Sequence, residues 1–201
     1  MLRYVRTFLP WIAFAVLSTN GEARWGALVG FVVACGLVVL DRRAGRPWDA
    51  LVLEISSAAF FGALAAVALT VTPAPFGDFG PAVAVGWLAV TAWGTLAIRR
   101  PFTLAIARTM VPVEVQGSPE FYRVNAVITA VWAVAFTLNS GLLGLLLAVA
   151  PRATVAIVAV KVCGFAIPAV FTVVYSKAVA ARRGQAGVND TSGMTRPDLA
   201  S

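Results

Sequence analysis

The chain has no histidine among its 201 residues, only two cysteines, and only 12% charged residues. Without an imidazole it lacks the commonest general base, and histidine-held haem or zinc is excluded within this chain. Cys35 and Cys163 each sit inside an apolar run, as small buried hydrophobes do, with no spacing that suggests a disulfide framework or a metal site. Lys161 and Lys177 are the only lysines. No HExxH, P-loop or GxSxG motif occurs, and no pair of carboxylates recurs at helical spacing. Glu114 and Glu120 read as solvated residues of a connection. The sequence therefore predicts a protein that is not an enzyme, with no cofactor and no metal.

What is abundant is apolar surface. Hydrophobic residues make up 60% of the chain and the mean hydropathy is +0.85, far beyond an average soluble domain. A net charge of +7 would suggest nucleic acid in a soluble protein. Here the basic residues lie in short loops between apolar runs, so membrane orientation and anionic lipid headgroups explain them and nucleic acid is not an expected partner.

Six apolar runs, at about 8–19, 25–40, 48–71, 81–98, 122–150 and 153–181, predict an all-α polytopic helical membrane protein. Five are long enough to cross; the first, interrupted by Pro10, falls short of the roughly 20 residues a span needs, which leaves open whether it is a sixth crossing. Its charged start resembles a secretory signal, but Gly21-Glu22-Ala23 is a poor cleavage site and the run is expected to be retained. Residues 1–183 read as one transmembrane domain and 184–201, rich in Gly, Asp, Thr and Ser, as a disordered tail. If all six runs cross, one side receives Arg3, Arg6, Arg42, Arg43, Arg46, Arg99, Arg100, Arg108, Arg123, Lys177, Arg182, Arg183 and Arg196, and the other only Arg24 and Arg152. The positive-inside rule then places the C-terminus in the cytoplasm. Gly26, Gly30 and Ala34 in the second run, and Ala58, Gly62 and Ala66 in the third, form small-residue stripes that permit close helix approach or a homo-oligomer.

The stretch from Ile98 to Trp132 organises the candidate site. Arg99, Arg100, Pro101, Phe102 and Arg108 form a candidate cytoplasmic interface: Pro101 suits a helix start, and Phe102, Ile106 and Met110 would share one face. Two readings stand, a short helix lying in the membrane interface and a solvated basic loop. After a Pro112 to Gly117 breaker, Ser118-Pro119 reads as an N-cap and first helical residue. Asn125, Thr129, Trp132, Phe136 and Asn139 recur at steps of three and four, so they share an inward face, with Ser140 beside them. Glu54 and Lys161 are ionisable residues inside apolar runs. Either each snorkels to its own interface, or the two attract across the bundle and hold the third and sixth runs in register.

Four features, Phe8-Leu9-Pro10, Arg99-Arg100-Pro101-Phe102, Asn125 followed by Trp132-Ala133 and Phe136, and Lys161-Val162-Cys163-Gly164, occur in this order over about residues 1 to 183. In that order the chain resembles the bacterial intracellular septation protein A family, the inner membrane-spanning proteins of the YciB type. The connection from Ala107 to Asn125 is longer and richer in proline than the family's basic loop, a departure that fits a distant sister family. The resemblance implies a multi-pass protein of the bacterial inner membrane, with a role in envelope maintenance or septation exerted through other envelope-synthesis or division proteins. It supplies no catalytic residues. The rival reading is a small transporter or lipid-binding protein using Glu54, Asn125, Thr129, Asn139, Ser140 and Lys161. A transport path requires those residues to line one continuous water-accessible cavity; the interaction reading requires a closed bundle packed through small residues.

Overall fold

A computed structural model describes residues 6, 8–18, 23–71 and 77–193; Arg3, the 72–76 part of the third loop and the last part of the tail, 194–201, lie outside them. The described residues form helices and no strand: α1 (Leu9–Ser18), α2 (Ala23–Arg43), α3 (Val52–Thr70), α4 (Gly80–Ala97), α5 (Phe102–Arg108), α6 (Val113–Gln116), α7 (Pro119–Val149) and α8 (Thr154–Gly193). Single 3₁₀ turns at Trp48–Leu51 and Gly77–Phe79 lead into α3 and α4. Five helices, α2, α3, α4, α7 and α8, are long and apolar enough to cross a membrane. The 19 residues of α3 span about 28 Å at 1.5 Å per residue, close to a hydrocarbon core. The chain is thus an all-α polytopic membrane protein.

Local chemistry sets the helix ends. Ser118 caps α7, its Oγ accepting a hydrogen bond from the Phe121 N–H at 3.1 Å, and Pro119 follows where a missing donor costs nothing. At the other end of its helix, α4 closes with Arg100 N–H donating to the Thr95 carbonyl (2.8 Å) and Arg99 N–H to that of Leu96 (2.9 Å). This turn demands a left-handed residue, and Arg99 supplies it with φ 57° where glycine is usual. The tail departs from its expectation of disorder from residue 184. Helix α8 continues to Gly193, because nothing between 184 and 193 is a proline and the helix above it is already nucleated.

Close approach of α2 and α3 builds one half of the bundle. Gly30 sits under the ring of Phe61, where a Cβ would stand 2.9 Å from the ring, and Gly62 sits reciprocally under Phe31. Gly26, Gly30 and Ala34 are all buried, so the α2 stripe is an internal helix contact. On α3 the stripe does not hold as a unit, since Ala66 is exposed. In the other half, α4 lies along α7 and α7 along α8. Ser140 Oγ donates to the Ala82 carbonyl (2.8 Å) and Trp93 Nε1 to Thr137 Oγ1 (3.1 Å).

The short α1 joins the halves. At about 15 Å it reaches only half the thickness of a bilayer's apolar core. Trp11 and Phe14 pack on the Phe60–Phe61 pair of α3, with ring centroids 4.8 to 5.4 Å apart. Phe8 lies 5.8 Å from both Trp132 and Phe165. Trp11 Nε1 donates to Ser57 Oγ at 2.8 Å, so its polar edge is bonded inside apolar surroundings. A second seam crosses between α3 and α4, where Ser56 Oγ meets Thr91 Oγ1 at 2.6 Å and receives the Trp87 indole at 2.9 Å.

Two expectations follow for thermal unfolding in detergent. Phe61 is fully buried and pinned by three other rings, so Gly30→Ala lowers stability by about 1–2 kcal/mol, whereas Gly36→Ala, with open space around it, raises it by up to ~1 kcal/mol. Arg99→Gly relieves the left-handed strain and raises stability by about 1 kcal/mol.

Candidate functional site

The inward face of α7 carries the polar residues. Asn125, Thr129 and Asn139 are buried together with Trp132 and Phe136. Helix α5 closes over the first of them: Thr103 Oγ1 donates to the Asn125 carbonyl (2.9 Å) and lies 2.8 Å from Thr129 Oγ1. A hydroxyl has one proton, so with that of Thr103 directed to Asn125 the Thr129 hydroxyl is the donor of the second bond. The Asn125 side chain turns back along its own helix, Nδ2 donating to the Phe121 carbonyl at 2.8 Å. Trp132 Nε1 reaches Thr172 Oγ1 on α8 (3.0 Å), and Thr172 returns its hydroxyl to the Pro168 carbonyl (2.8 Å). Ser140 is bonded to α4 as described. Asn139 differs from all of these, for neither amide atom has a partner.

Glu54 and Lys161 do not form the ion pair that would hold α3 and α8 in register. Glu54 is the third residue of α3, buried and engaged near the arginine-rich end. Lys161 is half-buried and is the eighth residue of α8, counted from the opposite end. At 1.5 Å per residue the two differ in depth by roughly 15 Å of a ~30 Å core, too far for a lysine to bridge.

The arginine-rich end is ordered by a buried carboxylate that the sequence reading passed over. Asp41, only 3% exposed, lies 2.8 Å from Arg6 and 3.3 Å from Arg46. Arg42 stacks on Trp48 at 4.4 Å and donates to the Arg46 carbonyl. The 3₁₀ turn Trp48–Leu51 that follows packs on α5, bringing the Arg42–Arg46 loop to the same rim as Arg99, Arg100 and Arg108, all exposed. Pro101 and Phe102 correct the expected interface: both are buried, Phe102 in the core, because Thr103 bonds α5 down onto α7. The face of Phe102, Ile106 and Met110 is not continuous either, since α5 ends at Arg108 and Met110 lies beyond it, half exposed. Cys163 is exposed on α8, not buried.

Thr103 and Ser57 were the partners sequence reading missed. A threonine one residue after Phe102, on a helix too short to show periodicity, gives no sign of the face it presents.

In a thermal melt, Lys161→Met stays within ~0.5 kcal/mol of the parent protein, because no ion pair is lost. Thr103→Val keeps the shape but removes both bonds at the α5–α7 contact and costs about 1 kcal/mol. Comparison of the chain with known protein families, with curated proteins and with solved structures returned no match in any of the three.

Proposed function

We propose that this chain is a non-catalytic multi-pass protein of the bacterial cytoplasmic membrane, related to the septation protein A family, which acts by holding other envelope or division proteins. One observation carries the reading. Three of the six polar residues that a transport path would use are engaged between helices instead: Thr103 bonds the Asn125 carbonyl and Thr129, and Ser140 bonds the Ala82 carbonyl. Such bonds fix helix positions and interrupt the row of groups that a solute path would need.

The charge distribution supports an orientation with the C-terminus and the arginine rim in the cytoplasm. There Arg42, Arg43, Arg99 and Arg100 are exposed, with Arg42 stacked on Trp48, itself 59% exposed, a combination that suits anionic lipid headgroups at the cytoplasmic leaflet. The part of α8 beyond Lys177 carries the helix past the hydrocarbon and offers protein partners an extended element on that side.

Single cysteines placed at Thr129 and Ser140, in a background lacking Cys35 and Cys163, test the reading in intact cells. Both are expected to resist a water-soluble thiol reagent applied from either side. Labelling at both would replace the packed bundle by an aqueous path and favour transport. Crosslinking from the rim, with a photoreactive residue at Arg100, is expected to capture envelope or division proteins.

A further inference from the structure

The end of α2 holds a guanidinium that is fixed in place yet only partly used. Arg42 stacks on Trp48, its Cζ 4.4 Å from the ring centroid, and its Nη1 donates to the Arg46 carbonyl. These contacts set the plane of the group and occupy one side of it. Its Nε–Nη2 edge makes no bond to a described residue, and a two-donor edge of this kind matches two oxygens of a phosphate. The loop around it is held separately. Gly45 turns the chain at φ 77°, and Asp41 lies between Arg6 and Arg46. Since those two arginines meet its charge, Asp41 does little to repel an anion at Arg42. Arg43 is exposed and has no partner among the described residues, so it adds a second positive charge. The C-terminal dipole of α2 acts against them with about half a negative charge, which two arginines outweigh.

Position selects the kind of anion. The loop joins the spans Arg24–Arg43 and Val52–Thr70, so it lies at headgroup depth, where tryptophan also collects. One turn further into the membrane Val39 and Leu40 are 49% and 56% exposed, on the part of α2 that leads to Arg42 and Arg43. A soluble phosphate gains nothing from that apolar surface, whereas acyl chains cover it. We propose that the Arg42–Trp48 loop is a site for one anionic phospholipid, its phosphodiester held by the Nε–Nη2 edge of Arg42 and the charge of Arg43, its chains along Val39 and Leu40. This rests on the reading of the arginine rim as the headgroup-facing end, and turns a general affinity for anionic lipid into one located site. The site also bears on the fold. The same loop carries Asp41, which holds the start of α1 through Arg6, so lipid bound at Arg42 steadies that anchor.

The test titrates the full chain, in an uncharged detergent, with phosphatidylglycerol, counting bound lipid by native mass spectrometry and following thermal unfolding alongside. One lipid is expected to stay bound and to raise the melting temperature. Phosphatidylcholine and glycerol phosphate are expected to do neither at the same concentration. Arg42→Lys keeps the charge without the two-donor edge and is expected to weaken binding about tenfold, the worth of one charge-assisted hydrogen bond. Trp48→Leu releases the guanidinium and is expected to weaken it about threefold. Melting without lipid shows that each variant is folded. Binding unchanged in both variants overturns the proposal, since diffuse charge would then suffice. Equal protection by glycerol phosphate also overturns it, because the site would then take phosphate and not lipid. No effect of phosphatidylglycerol on the parent chain overturns it together with the lipid reading of the rim, and leaves partner holding to the crosslinking from Arg100.

Discussion

Lipid tails are as apolar as leucine, so a bilayer gives helices no hydrophobic reason to leave it for one another, and shape must hold the bundle together. In this chain the shape is aromatic. Phe61 fills the space that Gly30 leaves open, and Trp11, Phe14 and Phe60 press on it from the other sides. The short α1 carries that packing across to Trp132 and Phe165 through Phe8. This ten-residue helix touches both halves of the bundle, α3 through Trp11 and Phe14 and the α7–α8 pair through Phe8 just before it. Its start is held by the contact of Arg6 with Asp41, a carboxylate only 3% exposed.

The same solvent governs the polar residues. A hydroxyl or amide in hydrocarbon must find a protein partner, and each such bond contributes only about 0.6 kcal/mol on average because the unpacked helix finds partners too. The bonds of Thr103, Ser56, Ser57 and Ser140 are therefore of more use for register than for stability. Each joins a different pair of elements: α5 to α7, α3 to α4, α1 to α3 and α4 to α7. Polar residues used in this way are consistent with a protein that presents a fixed shape to partners. Asn139 breaks the pattern, its unpaired amide lying against Gly164 one turn before Pro168.

Much of this was legible in the chain. Runs of apolar residues near the thickness of a bilayer have one stable conformation there, so the five long helices follow from composition and length. Ser118-Pro119 announced the start of α7, and the three-and-four spacing of Asn125, Thr129, Trp132, Phe136 and Asn139 announced its buried face. Periodicity assigns a residue to a face and says nothing of what stands opposite. Thr103 gave no such signal on its seven-residue helix, and Phe102, flanked by arginines, resembled a surface residue although it enters the core.

By itself, then, the sequence determined the class, the helices and their inward faces, because these depend on hydropathy and on a repeat of 3.6 residues, both local properties. The tertiary structure alone decided that α1 is a wedge, that Asp41 is the buried anchor of the arginine-rich end, that Glu54 and Lys161 lie at different depths, and that Asn139 meets Gly164. Each of these depends on which helices become neighbours and at what height. Contacts between residues far apart in sequence set that, and no local pattern records them.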